Sequence, residues 1–321
     1  MDEISTPVSR RLVRALRVVL AVAIVALLVH WVGPTEVRAR LAACPPSVAL
    51  AALAAALLGQ WLGALRFAQL ARLQGLPLTR TDAFGINLST VFYSLFLPGG
   101  TATSWIVRLL RLPGARAKLG LALAVIAADR AFATSAGAML GLIADLMLRV
   151  PATFVVTTGL GAATLGAAVI AWTLLLPDPP AWLRRLRKLP LLRRLATRIT
   201  RSEPAPEPLT GVAVGRAGLL SVAVHGLGIF AWWILARAIG LDLGLLEITW
   251  VRSASQIVGL LPVTVGGLGL REGTTVLLLA LFHVAAADAL ALSLLAFLVT
   301  VLGVGVVGGT WEAARLLRQR T

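Results

Sequence analysis

Long apolar segments constrain this chain more than any other feature of its sequence. Several of them approach or exceed the ~20 apolar residues that a helix needs to cross a bilayer. Of the 321 residues, 58% are hydrophobic and only 14% are charged, whereas a soluble domain is nearer half apolar and about a quarter charged. Transmembrane β-barrels alternate apolar and polar residues in short strands, and these segments do not. The sequence therefore predicts an all-α polytopic membrane protein.

Arginines at the ends of the apolar segments predict the orientation of the spans, because cations concentrate in cytoplasmic loops. Both termini are expected in the cytoplasm, and a basic cytoplasmic loop over 177–210 separates two halves of one transmembrane domain covering 1–321. The same rule explains the net charge of +16 without a nucleic-acid partner. Six full spans are expected, over 13–32, 46–70, 119–148, 151–176, 215–239 and 290–309.

Two glycine-rich breaks interrupt apolar segments in opposite halves of the chain. They comprise Pro98, Gly99 and Gly100 in the first half, and Pro262, Gly266, Gly267 and Gly269 in the second. Non-helical backbone at membrane depth is tolerated only where protein buries it or where it lines a wet cavity, and paired broken helices indicate a transporter's binding site. The flanking charges predict two re-entrant helical hairpins, over 82–111 from the cytoplasm and 245–282 from outside. Their opposite insertion is typical of an inverted repeat.

Charged residues inside or beside these segments are the candidate site. They are Arg108, Asp129, Arg130, Arg252, Arg271 and Glu272. A charge at the bilayer centre costs ~2.5–3.5 kcal/mol on insertion scales, so a functional role and a structural pair that locks helices together both remain open. Asp129 and Arg130 point about 100° apart on a helix, so each needs its own partner. Arg271 beside the free amides of a helix N-terminus suits a phosphate, while Glu272 also fits a helix cap.

Other polar and aromatic residues have simpler interpretations. Arg66 and Arg237 fall near span ends, where a long side chain can extend its charge to the interface. His225 is interpreted as a hydrogen-bonded packing residue, and polar hairpin residues such as Gln256 mainly as helix–helix contacts. Cys44 is the only cysteine, and neither a metal-ligand spacing nor a P-loop is present, so no cofactor is expected. Four tryptophans are interpreted as interfacial, namely Trp31, Trp172, Trp250 and Trp311.

The second break and the helix start that follows it resemble the hallmark of a known family. Residues 261–273 read Leu-Pro-Val-Thr-Val-Gly-Gly-Leu-Gly-Leu-Arg-Glu-Gly, similar to the transmembrane region of lysylphosphatidylglycerol synthases, the flippase-like module of the multiple peptide resistance factor. The first break with Arg108, and the pair Asp129-Arg130, resemble that family's N-terminal motif. One departure is the stretch 101–105, Thr-Ala-Thr-Ser-Trp, where family members usually carry Gly-Gly-Asp before the arginine.

The resemblance implies a lipid flippase rather than an enzyme. The expected substrate is an anionic, aminoacylated or lipid-linked (glyco)lipid that moves between leaflets through a groove formed by the two hairpins. An intramembrane lipid or polyprenyl transferase, or a docking subunit for a lipid-modifying enzyme, remains an alternative. The expected partners are membrane lipids, with a homo-oligomer or a lipid-modifying enzyme as further candidates. The expected location is the bacterial inner membrane.

Overall fold

The computed structural model is helical in every long element that it describes. It describes residues 30, 34–96, 101–115, 118–149, 154–175, 209–259 and 269–318. In chain order the helices are α1 Pro34–Ala43, α2 Pro46–Leu73, α3 Arg80–Phe96, α4 Thr101–Arg111, α5 Leu119–Leu148, α6 Phe154–Leu175, α7 Gly211–Ala238, α8 Leu245–Gly259, α9 Leu270–Ala280, α10 Ala286–Ala296 and α11 Gly303–Arg318. A π-helical segment, Phe297–Leu302, joins α10 to α11 without a break.

Four helical stretches are long and apolar enough to cross a membrane. They are Pro46–Leu73, Leu119–Leu148, Gly211–Ala238 and Ala286–Arg318, and they match four of the six predicted spans. The predicted span over 151–176 corresponds to helix α6. The predicted span over 13–32 lies outside the described residues except for His30. By its helix composition the chain is a multi-pass membrane protein.

Two pairs of shorter helices lie between the long ones. Within the first pair, α4 lies beside the middle of α3, because Arg108 Nη2 donates to Asn87 Oδ1 at 2.7 Å and Arg111 Nη1 donates to Ser89 Oγ at 2.6 Å. Within the second pair, α8 packs on α9, and the hydroxyls of Ser255 and Thr275 are 3.1 Å apart. The chain therefore doubles back within each pair. The break residues 97–100 and 260–268 lie outside the described part of the chain.

Contacts between the two halves hold the molecule together. Helix α2 packs along α7, α3 packs against α11, and α8 packs against α5. Glycines allow the close approach. A Cβ on Gly308 would overlap the carbonyl of Leu88, and one on Gly141 would overlap the side chain of Ser253. Small residues at helix crossings are what membrane helices use to pack tightly, since lipid gives helices no hydrophobic reason to associate.

The tryptophan prediction was wrong for Trp250. Its side chain is fully buried and its indole N–H donates to Asp145 Oδ1 at 2.6 Å, so this tryptophan joins α8 to α5 inside the core. A hydropathy pattern cannot separate an interfacial tryptophan from a buried one that has found an acceptor. Trp311 is exposed and packs edge-on against Phe84. The side chains of Trp31 and Trp172 lie outside the described part of the chain.

Candidate functional site

Asp129 is the centre of a buried ionic network. It lies on α5 with 0% exposure. Its Oδ1 accepts from Arg66 Nε at 2.7 Å and its Oδ2 from Arg108 Nη1 at 2.8 Å. Arg66 also donates to Ser221 Oγ at 2.8 Å, and Arg108 donates to Asn87 Oδ1. One carboxylate thus joins α2, α4 and α5 directly, and its arginines extend the network to α3 and α7.

The interpretation of Arg66 as an interfacial residue was wrong. Only 4% of Arg66 is exposed, although α2 ends only seven residues beyond it at Leu73. Its guanidinium binds Asp129 and Ser221 and does not extend to the interface, so Arg66 is a structural member of the site.

Arg130, the next residue along α5, points away from Asp129 and lines a separate cavity of about 270 Å³. The polar wall of this cavity includes Arg130, Thr134, His225, Ser253, Gln256 and Arg271. In the part of the chain that the structure describes, Arg130 forms no ion pair with a carboxylate. Gly259, the last residue of α8, also lines the cavity, so the cavity lies beside the second break.

Glu272 fixes the start of α9, where the second break ends. The carboxylate is fully buried. Its Oε2 accepts from the backbone N–H of Gly269 at 2.6 Å, which is the capping role that the sequence suggested, and its Oε1 accepts from Arg271 Nη2 at 2.8 Å. Gly269 has φ +83°, a conformation that favours glycine. The Arg271 guanidinium lies 5.4 Å from the ring centroid of Phe297, within cation–π range.

Arg252 and His225 complete the polar wall from α8 and α7. His225 Nε2 lies 2.8 Å from the carbonyl oxygen of Ala133, so this nitrogen carries the proton and Nδ1 is left as an acceptor. Arg252 Nη1 lies 3.5 Å from that Nδ1 and 3.3 Å from Gln256 Oε1. The guanidinium lies over Gly228, where a Cβ would collide with it. His225 is therefore a hydrogen-bonded packing residue that also lines the cavity.

Positive charge exceeds negative charge in this region. The arginines are Arg66, Arg108, Arg130, Arg252 and Arg271, and the carboxylates among the described residues are Asp129 and Glu272. Intramembrane charges normally pair with one another or face a cavity. Glu272 binds Arg271, and Asp129 is shared by two arginines, so the surplus charge belongs to Arg130, to Arg252 and to the Arg66–Arg108 pair.

The structure separates the predicted site residues into two groups. Arg108 is buried and bound to Asp129, away from the cavity wall, whereas Arg130 and Arg271 line the cavity. Of the predicted break residues only Gly269 is described, and Pro98, Gly99, Gly100, Pro262, Gly266 and Gly267 lie outside the described residues. Sequence reasoning underrated Gln256, although its spacing of four from Arg252 places both on one helix face.

A larger surface cavity of about 640 Å³ lies at the polar ends of α3, α4 and α11. Its wall includes Arg111 and Arg315, and both donate to Glu312 Oε1. Arg318 and Asp82 also line this cavity, so three arginines lie beside two carboxylates there. The positive surplus is smaller than beside the second break, which makes this cavity a weaker candidate for an anion.

The long apolar helices and the buried ionic cluster define a multi-pass membrane protein with a polar cavity among its membrane helices. A family model described as "Lysylphosphatidylglycerol synthase TM region" matches residues 15–308. The chain therefore belongs to this family. No curated protein matches the chain significantly.

Proposed function

We propose that this protein is a lipid flippase that moves an anionic, aminoacylated or lipid-linked (glyco)lipid between the two leaflets. The observation that carries the proposal is the surplus of partly buried arginine beside a cavity at the flank of the second break. An unpartnered charge among membrane helices is costly, and an anionic headgroup supplies the missing partner. Membership of the lysylphosphatidylglycerol synthase TM region family, which is associated with the synthesis and flipping of aminoacyl lipids, supports this assignment.

Arg130 and Arg271 are the proposed headgroup ligands, with Arg252 behind them. Guanidinium groups bind phosphate through two parallel hydrogen bonds. Arg271 is held by Glu272 through one terminal nitrogen only, which leaves donors for a ligand. It also stands in the first turn of α9, where free amides and the helix dipole favour an anion. The acyl chains stay in the surrounding lipid while the headgroup passes through the cavity.

The two helix pairs, α3 with α4 and α8 with α9, are the proposed re-entrant hairpins. Each pair starts and ends close in sequence to the ends of neighbouring long helices: α2 ends at Leu73 and α5 begins at Leu119, while α7 ends at Ala238 and α10 begins at Ala286. Each half thus has the order long, short, short, long. In this order α3 corresponds to α8, and α5 corresponds to the continuous helix α10–α11. The contact of α3 with α11 therefore has its counterpart in the contact of α8 with α5. This equivalence supports an inverted repeat with hairpins entering from opposite sides.

We place the protein in the inner membrane of a bacterium. Both termini and the basic loop over 177–210 then lie on the cytoplasmic side. The support is the number of cations at one end of the long helices, which the positive-inside rule assigns to the cytoplasm. Arg72 at the end of α2 and Arg315 and Arg318 at the end of α11 are examples.

Transport is favoured over an intramembrane transferase. A transferase needs a carboxylate or histidine free to move a proton. In the described residues Asp129 and Glu272 are each bound by arginine, and His225 is bonded to a backbone carbonyl. These groups are arranged to hold helices and arginines in place.

The test is reconstitution into liposomes with fluorescently tagged lipids of several headgroups, followed by measurement of transbilayer movement with a membrane-impermeant quencher. We expect the wild-type protein to exceed empty liposomes for at least one lipid. R130Q and R271Q should each slow that movement at least tenfold, a factor equivalent to about 1.4 kcal/mol. The matched control is R237Q, because Arg237 is exposed and pairs with Asp242. Rates equal to empty liposomes for every headgroup would contradict the proposal.

A further inference from the structure

We infer that the cavity beside the second break selects lipids whose headgroup is net negative and discriminates against headgroups that carry an ammonium group. A phosphoglycerol headgroup is the favoured class, and an aminoacylated one is disfavoured. This inference rests on the proposed function, and it narrows the range of lipids given there. The inference follows from the positions and binding partners of the carboxylates in the chain.

The chain has 14 acidic residues, and few of them lie within the membrane helices. Four are buried among the described residues, namely Asp129, Asp145, Glu272 and Glu312. In the sequence the other ten lie at the N-terminus, in α1, in the loop over 177–210, or in the first turns and connections of helices. A cationic headgroup that crosses the membrane therefore depends on the four buried carboxylates for a negatively charged partner.

Two of these carboxylates lie near the cavity, and both are already engaged. Asp129 accepts from Arg66 and Arg108 through its two oxygens. Glu272 accepts from Arg271 through one oxygen and from the Gly269 backbone through the other. An ammonium group would have to displace an arginine or a helix cap to reach either one.

The other two buried carboxylates serve contacts away from the cavity. Asp145 accepts from the indole of Trp250 and the hydroxyl of Thr157. Glu312 accepts from Arg111, Arg315 and the hydroxyl of Ser89, among others. Neither residue lines the cavity.

The break sequences supply no further acid. Residues 97–100 and 260–268 contain no aspartate or glutamate, and neither does the stretch 101–107 that leads to Arg108. A positively charged headgroup in this cavity would face Arg130 and Arg271 without a free carboxylate. Like charges in close contact inside a protein repel strongly. A phosphate with no ammonium group has the opposite balance, because its negative charge reduces the surplus.

The experiment compares two tagged lipids that differ only in the headgroup, phosphatidylglycerol and its lysyl ester, in liposomes that contain the purified protein. We expect phosphatidylglycerol to move about tenfold faster or more. Equal rates, or faster movement of the lysyl ester, would overturn the inference while leaving the transport proposal intact. Failure of both lipids, and of every other headgroup in the panel, is the separate result that removes the transport proposal.

A charge substitution in the cavity wall gives an independent readout. Gln256 lines the cavity and its Oε1 accepts from Arg252, so Q256E neutralises one of the surplus cations with little change of shape. We expect Q256E to raise the rate ratio of the lysyl ester to phosphatidylglycerol at least threefold over wild type. Q256M, which keeps the length of the side chain without charge, should leave the ratio within twofold. Monodisperse elution of both variants from a sizing column shows that they fold. A ratio that is unchanged in Q256E, or that rises equally in Q256M, contradicts the inference.

Discussion

Asp145 and Glu312 occupy matching positions in the two halves of the molecule. Asp145 lies 26 residues beyond Leu119, the start of α5, and Glu312 lies 26 residues beyond Ala286, the start of α10. Each carboxylate binds a short helix of the opposite half: Asp145 accepts from Trp250 on α8, and Glu312 accepts from Ser89 on α3. Each also follows, by four residues, a glycine that contacts that same short helix.

The bond between Trp250 and Asp145 is expected to stabilise the fold measurably. W250F keeps most of the ring but removes the N–H donor, so Asp145 loses one of its buried partners. We expect a loss of about 1–3 kcal/mol, measured as a lower unfolding temperature in detergent. The control is W232F, because Trp232 belongs to the same apolar core and no hydrogen bond is described for its indole. Equal losses in the two variants would show that ring volume alone matters at position 250.

Removal of the one carboxylate in the Asp129 network is expected to destabilise the fold. D129N leaves the buried guanidinium groups of Arg66 and Arg108 facing a neutral amide, which should cost about 3–5 kcal/mol. D242N is the matched control, since the Asp242 side chain is 91% exposed in its pair with Arg237 and exposed pairs contribute about 0–1 kcal/mol. Thermal unfolding of both variants measures the difference. Comparable stability would mean that water reaches Asp129.

Gly308 is expected to be intolerant of a side chain. In G308A the new methyl group meets the backbone carbonyl of Leu88, which cannot rotate away, so α11 must move from α3 and the protein should lose stability. G226A is the control, because an added Cβ there has nothing within 4 Å and alanine favours the helix by up to about 1 kcal/mol. The unfolding temperature should fall in G308A and stay level or rise in G226A.

The backbone of Gly269 is expected to matter for transport as well as for stability. Its φ of +83° disfavours any residue with a Cβ, and its N–H holds Glu272. G269A should disturb the carboxylate that positions Arg271 and slow lipid movement. G273A serves as the control, because an added Cβ has nothing within 4 Å there. A liposome assay with both variants measures the effect. Equal transport rates would show that the backbone conformation at Gly269 does not matter for transport.

The cavity is expected to admit small polar reagents. Burial raises the pKa of the Cys44 thiol, which slows its labelling at neutral pH, and C44S removes it altogether. In that background T134C, in the cavity wall, should react with a charged methanethiosulfonate reagent. A217C, at a position with 0% exposure, should not. Cysteines at Gly99 and Gly266 extend the test to the two breaks, and absence of labelling at Thr134 would indicate a dry cavity.

Much of the helix order was predictable from the sequence, because bilayer thickness and glycine breaks leave few choices. The first short helix was predicted to begin at Asp82 and begins two residues earlier, at Arg80. The helix after the second break was predicted to begin at Gly269 and begins one residue later, at Leu270. The helix α1 and the π-helical segment were not predicted. In the π-helical segment every residue except Thr300 is apolar, so no pattern marks the change of helix type.

The partners within the site were beyond sequence reasoning. Arg66 and Asp129 are 63 residues apart, and nothing local to Arg66 distinguishes a guanidinium that binds a distant carboxylate from one that extends to the interface. Trp250 poses the same problem with Asp145. By contrast, the capping of Gly269 by Glu272 depends on a spacing of three residues, and local spacing made it predictable.

The excess of arginines over carboxylates around the cavity makes this part of the protein a charged body within the membrane's electric field. Moving one elementary charge across a potential of 100 mV changes the free energy by about 2.3 kcal/mol. Any rearrangement that shifts Arg130, Arg252 or Arg271 along the membrane normal is therefore voltage-dependent. An anionic headgroup bound to these residues would offset that dependence, so the loaded and empty forms should respond differently to the same membrane potential.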